Sequence, residues 1–146
     1  MSLNALEIKD LYKLAKKRVP KMFFDYVDTG SWSGSTYRSN EEDFKCIKFK
    51  QRVARDMTGR SMVSKMVGQN VSMPVALAPI GMCGMQYPDG EIHSARAAET
   101  HGIPFTLSTM SICSIEDVSE KVEKPFWFQL YMMRNRDFMH SLIKRA

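Results

Sequence analysis

Val75-Ala-Leu-Ala78, Phe105-Thr-Leu107 and Phe126-Trp-Phe-Gln-Leu130 are short apolar runs, each followed at once by small or polar residues: Pro79-Ile-Gly81, Ser108-Thr109 and Tyr131. Helix-like sequence follows the first two runs, and another such stretch begins soon after the third. This alternation predicts an α/β fold, a parallel sheet covered by helices. In such sheets ligands gather at the carboxyl ends of the strands. The residues just past each run are therefore the first candidates for a site. The rhythm comprises three units and reaches Ala146.

A chain of 146 residues suits one ordinary domain. It falls short of the ~250 residues typical of an eight-fold βα barrel. Hydrophobic content of 44% with 25% charged residues places it among soluble globular proteins. No apolar stretch approaches the ~20 residues of a membrane span. The first residues lack the apolar core of a signal peptide, so a cytoplasmic location is expected. Cys46, Cys83 and Cys113 are an odd, scattered set without a C-x-x-C pair. They read as reduced thiols rather than a disulfide framework, and no metal site is expected. The net charge of +5 is concentrated around Lys13, Lys16, Lys17, Arg18 and Lys21. Glu7, Asp10 and Asp25 interrupt this patch, and a solvated helix face is favoured over a nucleic-acid or lipid surface.

Ile8, Leu11, Leu14, Ala15 and Val19 recur at helical spacing and predict an amphipathic helix over Ile8 to Arg18. Pro20 can open a second helix carrying Phe23, Phe24, Tyr26 and Val27, with Gly30 as its C-cap. Ser39 or Asn40 with Glu41 and Glu42 reads as an N-cap followed by acidic first-turn residues. The polar, basic segment from Ile47 to Val71 is expected to be irregular with short strands. Strands are predicted at Val75–Ala78, Ile103–Leu107 and Phe126–Leu130, the first as apolar as a buried parallel strand should be. Helices are predicted from about Glu91 to His101 with Gly102 ending it, from an N-cap at Ser114, and over Arg134 to Arg145.

No phosphate-binding or dinucleotide glycine motif is present, and Gly81 with Gly84 reads as a tight strand-to-helix connection. The histidines His93, His101 and His140 read as structural, and Cys83 as a small buried hydrophobe. Gln129 is a polar residue inside an apolar strand. A buried amide needs partners, either backbone or the alternating donors and acceptors of a heterocycle. Pro79-Ile80-Gly81 offers close backbone approach to a planar ligand, Ser108 a hydroxyl, and Tyr131 a phenol near the strand ends.

The same residues carry a resemblance. Leu77-Ala-Pro-Ile-Gly-Met-Cys-Gly-Met85, Gly102-Ile-Pro-Phe-Thr-Leu-Ser-Thr109, Ser114-Ile-Glu-Asp-Val118, Trp127-Phe-Gln-Leu-Tyr131 and Val19-Pro-Lys-Met-Phe-Phe-Asp-Tyr-Val-Asp-Thr-Gly30 resemble the FMN-dependent α-hydroxy-acid dehydrogenases and oxidases. Within that family the wording looks most like bacterial respiratory L-lactate dehydrogenases. The resemblance covers essentially the whole chain. It implies a (β/α)8 TIM barrel preceded by N-terminal helices. Residues 1–71 would form the helices and irregular segment, and 72–146 the first three βα units. It implies FMN as cofactor, with the Pro79, Ile80 and Gly81 backbone against the flavin ring and Ser108 and Gln129 hydrogen-bonded to it. Tyr26 and Tyr131 would contact the substrate's carboxylate and hydroxyl region.

The implied reaction takes an L-2-hydroxy acid, L-lactate, to its 2-oxo acid and hands electrons to a quinone or other acceptor. The intact relative would lie in the cytoplasm or peripherally on the inner membrane, and the resemblance allows a homo-oligomer. The family's base histidine, carboxylate-clamping arginines and flavin lysine come from later strands, expected beyond Ala146. None of the three histidines stands at the catalytic position, so no catalytic residue is assigned, and the chain alone is expected to be inactive. The alternative is a non-enzymatic truncated remnant, or a piece that works only with a complementary chain.

Overall fold

Residues 5–146 are described by the computed structural model, and the chain divides into one unit ending at Gly59 and a second from Arg60 to Ala146. In the first unit, α1 (Ile8–Arg18) occupies the predicted span. It stops because Val19 precedes proline and turns extended, at ψ 135. Pro20 then leads into α2 (Lys21–Asp28), whose Phe24 is buried. The Phe24 ring meets Tyr12 edge-on at 5.4 Å. The Tyr12 hydroxyl donates to Asp28 at 3.0 Å and Tyr37 donates to the same carboxylate at 3.4 Å. The third helix is α3 (Ser35–Glu42), followed by a 3-10 turn over Asp43–Cys46.

Two capping expectations are corrected here. Thr29, in extended conformation, closes α2, so Gly30 is not its left-handed cap. Gly30 is needed for space instead: a Cβ there would lie 2.7 Å from that of Tyr37. Ser39 and Asn40 do not start a helix but lie inside α3. The turn closed by Gly34 N–H on the Ser31 carbonyl, with Gly34 at φ 69, launches α3 earlier than the acidic pair implied.

The second unit opens with an antiparallel hairpin of β1 (Ser64–Met66) and β2 (Gln69–Val71), the short strands expected before Val71. Its two-residue loop is Val67-Gly68, both left-handed at φ 47 and φ 79, the signature of a type I′ turn. The βα rhythm comes next: α4 (Cys83–Gln86), α5 (Gly90–His101), β3 (Thr106–Ser108), α6 (Ile115–Ser119), β4 (Trp127–Gln129) and α7 (Arg136–Arg145). β3 and β4 pair in parallel, with Thr106 opposite Trp127, Leu107 opposite Phe128 and Ser108 opposite Gln129.

The first apolar run is less regular than predicted. Val75–Ala78 joins the sheet through one parallel bridge, Leu77 with Phe105. The Leu77 N–H donates to Pro104 at 2.9 Å, and Thr106 N–H donates back to Leu77 at 3.1 Å. Pro74 and Pro79 flank the run and lack the N–H needed to extend the ladder. The segment still takes its place beside β3, on the edge opposite β4.

Side chains alternate across the parallel strands. Leu107, fully buried, and Phe128 face the helices, packing with Ala95 and Ala98 of α5, Ile115 and Val118 of α6 and Leu142 of α7. Burying a side chain of that size contributes roughly 1.5–3 kcal/mol. Ser108 and Gln129 take the opposite face, which sets up the site. The helices are capped as their sequences require. Gly102 closes α5 at φ 64, Ser114 and Asp117 form a reciprocal capping box on α6, and Asn135 accepts the Phe138 N–H at 3.0 Å. That asparagine cap makes α7 begin at Arg136 rather than Arg134.

Candidate functional site

The carboxyl ends of β3 and β4 bring two of the predicted residues together. The Ser108 hydroxyl donates to Gln129 Oε1 at 3.2 Å and accepts the Met110 N–H at 3.1 Å. Ser108 is only 4% exposed. Thr109 extends the arrangement: its N–H donates to the Gln129 carbonyl at 3.1 Å, and its hydroxyl accepts the Tyr131 N–H at 3.1 Å. The Gln129 amide nitrogen makes no hydrogen bond to the described residues, which leaves a donor at the strand ends. Gln129 is half-buried.

Pro79 and Ile80 are exposed and Gly81 is half-buried, so their backbone is open to a ligand. The loop they begin is strained. Met82 at φ 53 and Asp89 at φ 55 are non-glycine residues in the left-handed region, a conformation that costs about 1 kcal/mol or more each. Met82 N–H donates to the Met110 carbonyl at 2.8 Å, tying this loop to the one after β3. Tyr131 is half exposed, as a side chain free to meet a ligand would be. Tyr26 belongs to α2 in the first unit and is half exposed there.

One residue of this region escaped the sequence reading. Glu91, placed there only as a helix-starting acid, is 2% exposed. Its Oε1 accepts the Ile112 N–H at 2.9 Å, while Oε2 has no hydrogen-bond partner of ordinary geometry. Burial pushes this carboxyl up, but the Ile112 and Gly84 amides and the Cys113 thiol outweigh it and hold it below the ordinary range. The converse holds for the thiols. Burial and the Glu91 charge raise Cys83, and the same causes push Cys113 up to about 11. The only available signal was an acid directly after a Gly in a tight βα connection. A cavity of about 130 Å³ lies between Leu77, Ile80, Cys83, Glu91, Ser94 and Ser108.

A larger cavity of about 340 Å³ is lined by Val71, Ala98, Gly102, Phe105 and Phe126, among others. It sits at the amino ends of the strands, away from the residues described above, and its walls are largely apolar. Among the described residues no cluster of His, Cys, Asp or Glu could hold a metal ion, and no helix is long and apolar enough to cross a membrane.

Residues 15–146 match the family described as FMN-dependent dehydrogenase. Among solved structures, an active chimera of (S)-mandelate dehydrogenase is 36% identical at a TM-score of 0.90, over 98% of this chain and 40% of that one. A soluble form of the membrane-associated (S)-mandelate dehydrogenase from Pseudomonas putida gives the same identity and TM-score, over 98% and 41%. A mandelate oxidase is 29% identical at a TM-score of 0.88, over 98% and 41%. The chain thus spans about 40% of the length of these relatives. Its fold is the N-terminal part of a (β/α)8 barrel, preceded by helices. With the family match running over nearly all of its length, the chain belongs to the FMN-dependent dehydrogenases, a family whose cofactor is FMN.

Proposed function

We propose that this chain supplies the flavin-facing wall of an FMN-dependent L-2-hydroxy-acid dehydrogenase. The observation that carries this reading is the Ser108–Gln129 pair at 3.2 Å, with an amide donor left over at the strand ends. A hydroxyl and an amide side by side match the mixed donor and acceptor edge of an isoalloxazine ring. The exposed Pro79-Ile80-Gly81 backbone would flank the ring, and Ser108 and Gln129 would hydrogen-bond its edge. FMN, when bound, supplies the acceptor for the two electrons leaving the substrate's α-carbon.

Tyr131 would orient the hydroxy acid through its phenol, so that binding energy goes into positioning. None of His93, His101 or His140 is assigned as the base. With no base assigned among them, residues 1–146 alone are expected not to turn over. L-Lactate is the proposed substrate, because the motifs at Gly102–Thr109 and Trp127–Tyr131 are worded like those of respiratory L-lactate dehydrogenases. The structural relatives act on mandelate, which makes that aromatic acid the natural competitor. Electrons would pass to a quinone-class acceptor, with the protein peripheral on the membrane. One of the relatives is described as a monotopic membrane protein.

The test is to purify residues 1–146 and the whole protein side by side, record flavin absorbance, and follow dye reduction with L-lactate and with (S)-mandelate. Lactate-dependent reduction by the whole protein and none by residues 1–146 is the expected result. Turnover by residues 1–146, or a preference for mandelate, would overturn the corresponding part of the proposal.

A further inference from the structure

We propose that Glu91 is a positioning residue: its buried carboxylate latches the loop after the first barrel strand to the loop after β3, so that the Pro79–Gly81 backbone and the Ser108 hydroxyl form one surface. Two contacts converge on it, and a third joins the same loops beside it. From the second loop, the Ile112 N–H donates to Oε1 at 2.9 Å. From the first, Gly84 approaches so closely that a Cβ there would lie 3.0 Å from Oε2 and 2.8 Å from the Ile112 Cβ. The adjacent tie, Met82 N–H to the Met110 carbonyl at 2.8 Å, joins the same two loops.

The glycines explain why the carboxylate can reach both loops. Gly84 admits Ile112 and Glu91 together, and Gly90 lets the start of α5 close on Cys83, whose carbonyl would lie 2.8 Å from a Cβ. The left-handed Met82 and Asp89 flank α4, so the first loop carries strain at both ends. Strain of this kind persists only where the surroundings over-determine the backbone. A carboxylate 2% exposed, held charged by amide donors, supplies that constraint. Neutralising it leaves the Ile112 amide with a weaker acceptor and lets both loops relax together.

Only the consequence for flavin rests on the function proposed above; the latch itself is a property of the loops. The test is amide hydrogen exchange, residue by residue, on the 146-residue chain without flavin, comparing wild type with Glu91→Gln. Exchange at Ile112 and Met82 should rise on the order of ten-fold, the factor for weakening one charge-assisted hydrogen bond. Exchange at Trp127, bonded to Phe105 in the sheet, should not change. No change at the loops, or an equal rise at all three amides, would overturn the latch.

Gly84→Ala, which intrudes on the same carboxylate from the other loop, must give the same local pattern, and it carries the test if Glu91→Gln does not fold. A flavin titration then reads the consequence: Glu91→Gln should bind FMN on the order of ten-fold more weakly than wild type. Failure of the wild-type chain to bind FMN would count against the proposed function, while the exchange result would still decide the latch.

Discussion

The Ser108 hydroxyl and the Gln129 amide oxygen meet at 3.2 Å across two adjacent parallel strands, from positions in direct register. Parallel pairing in register places both side chains on the same face of the sheet, so one hydrogen bond spans two βα units. Ser108→Ala removes this donor and also the acceptor of the Met110 N–H. Gln129 is half-buried and Met110 exposed, so water can replace the lost partner in part, and a loss of about 1 kcal/mol in stability is expected. Urea denaturation of the two chains checks this.

The hairpin turn gives a prediction of opposite sign. Val67 holds a left-handed φ of 47, which a β-branched side chain tolerates poorly. Val67→Asn keeps the turn and relieves the strain, since asparagine visits that region readily. Val67 is also exposed, so no core packing is lost. A gain of about 1 kcal/mol is expected, read as a higher urea midpoint with unchanged slope.

The pairing of Glu116 with Arg145 predicts a pH dependence. Two guanidinium nitrogens reach the two carboxylate oxygens, each at 2.7 Å, and this hydrogen-bonded cation lowers the Glu116 pKa from 4.5 to about 2. A carboxylate with a depressed folded-state pKa contributes stability above its unfolded value and loses it as pH falls through the folded one. The contribution should therefore fade between 4.5 and about 2. Glu116→Gln should flatten the fall in urea midpoint over that interval. An unchanged slope would show that the pair does not act in solution. The groups are exposed, so the effect is expected to shrink in high salt.

The thiols should separate by environment. Cys46 is exposed, Cys83 half-buried and Cys113 buried. The reactive species is the thiolate, and both Cys83 and Cys113 have raised pKa values. An aromatic disulfide reagent at about pH 8 should label Cys46 promptly and the other two slowly. Denaturant should abolish the difference.

The βα rhythm was legible because a buried strand and an amphipathic helix leave different periodicities in the chain. α1 was readable end to end, since both its apolar stripe and its stop before Pro20 are local. Gln129 stood out as one polar residue in an apolar strand, and Ser108 as the residue just past another. Their meeting depends on the strand register, which is a tertiary fact. Val75–Ala78 looked like a full strand by composition, yet flanking prolines reduce its pairing to one bridge. The start of α3 was misread because a glycine turn, rather than the acidic pair, decides it. Glu91 was hidden for a different reason. Its partner Ile112 lies in the next βα unit, and nothing local marks where a carboxylate will point.

α5 carries a second carboxylate toward its other end: Glu99 Oε1 accepts the N–H groups of Glu123 at 2.9 Å and Lys124 at 2.7 Å, just before β4. The helix thus engages the loop above β3 with one acid and the approach to β4 with another. Each inserted residue rotates the remainder of a helix by about 100° and advances it by about 1.5 Å. An insertion between Ala95 and Ala98 would leave Glu91 at its loop but swing Glu99 off the chain it holds. The spacing of the two acids therefore acts as a gauge, fixing how far apart the two ends of this βα unit can lie.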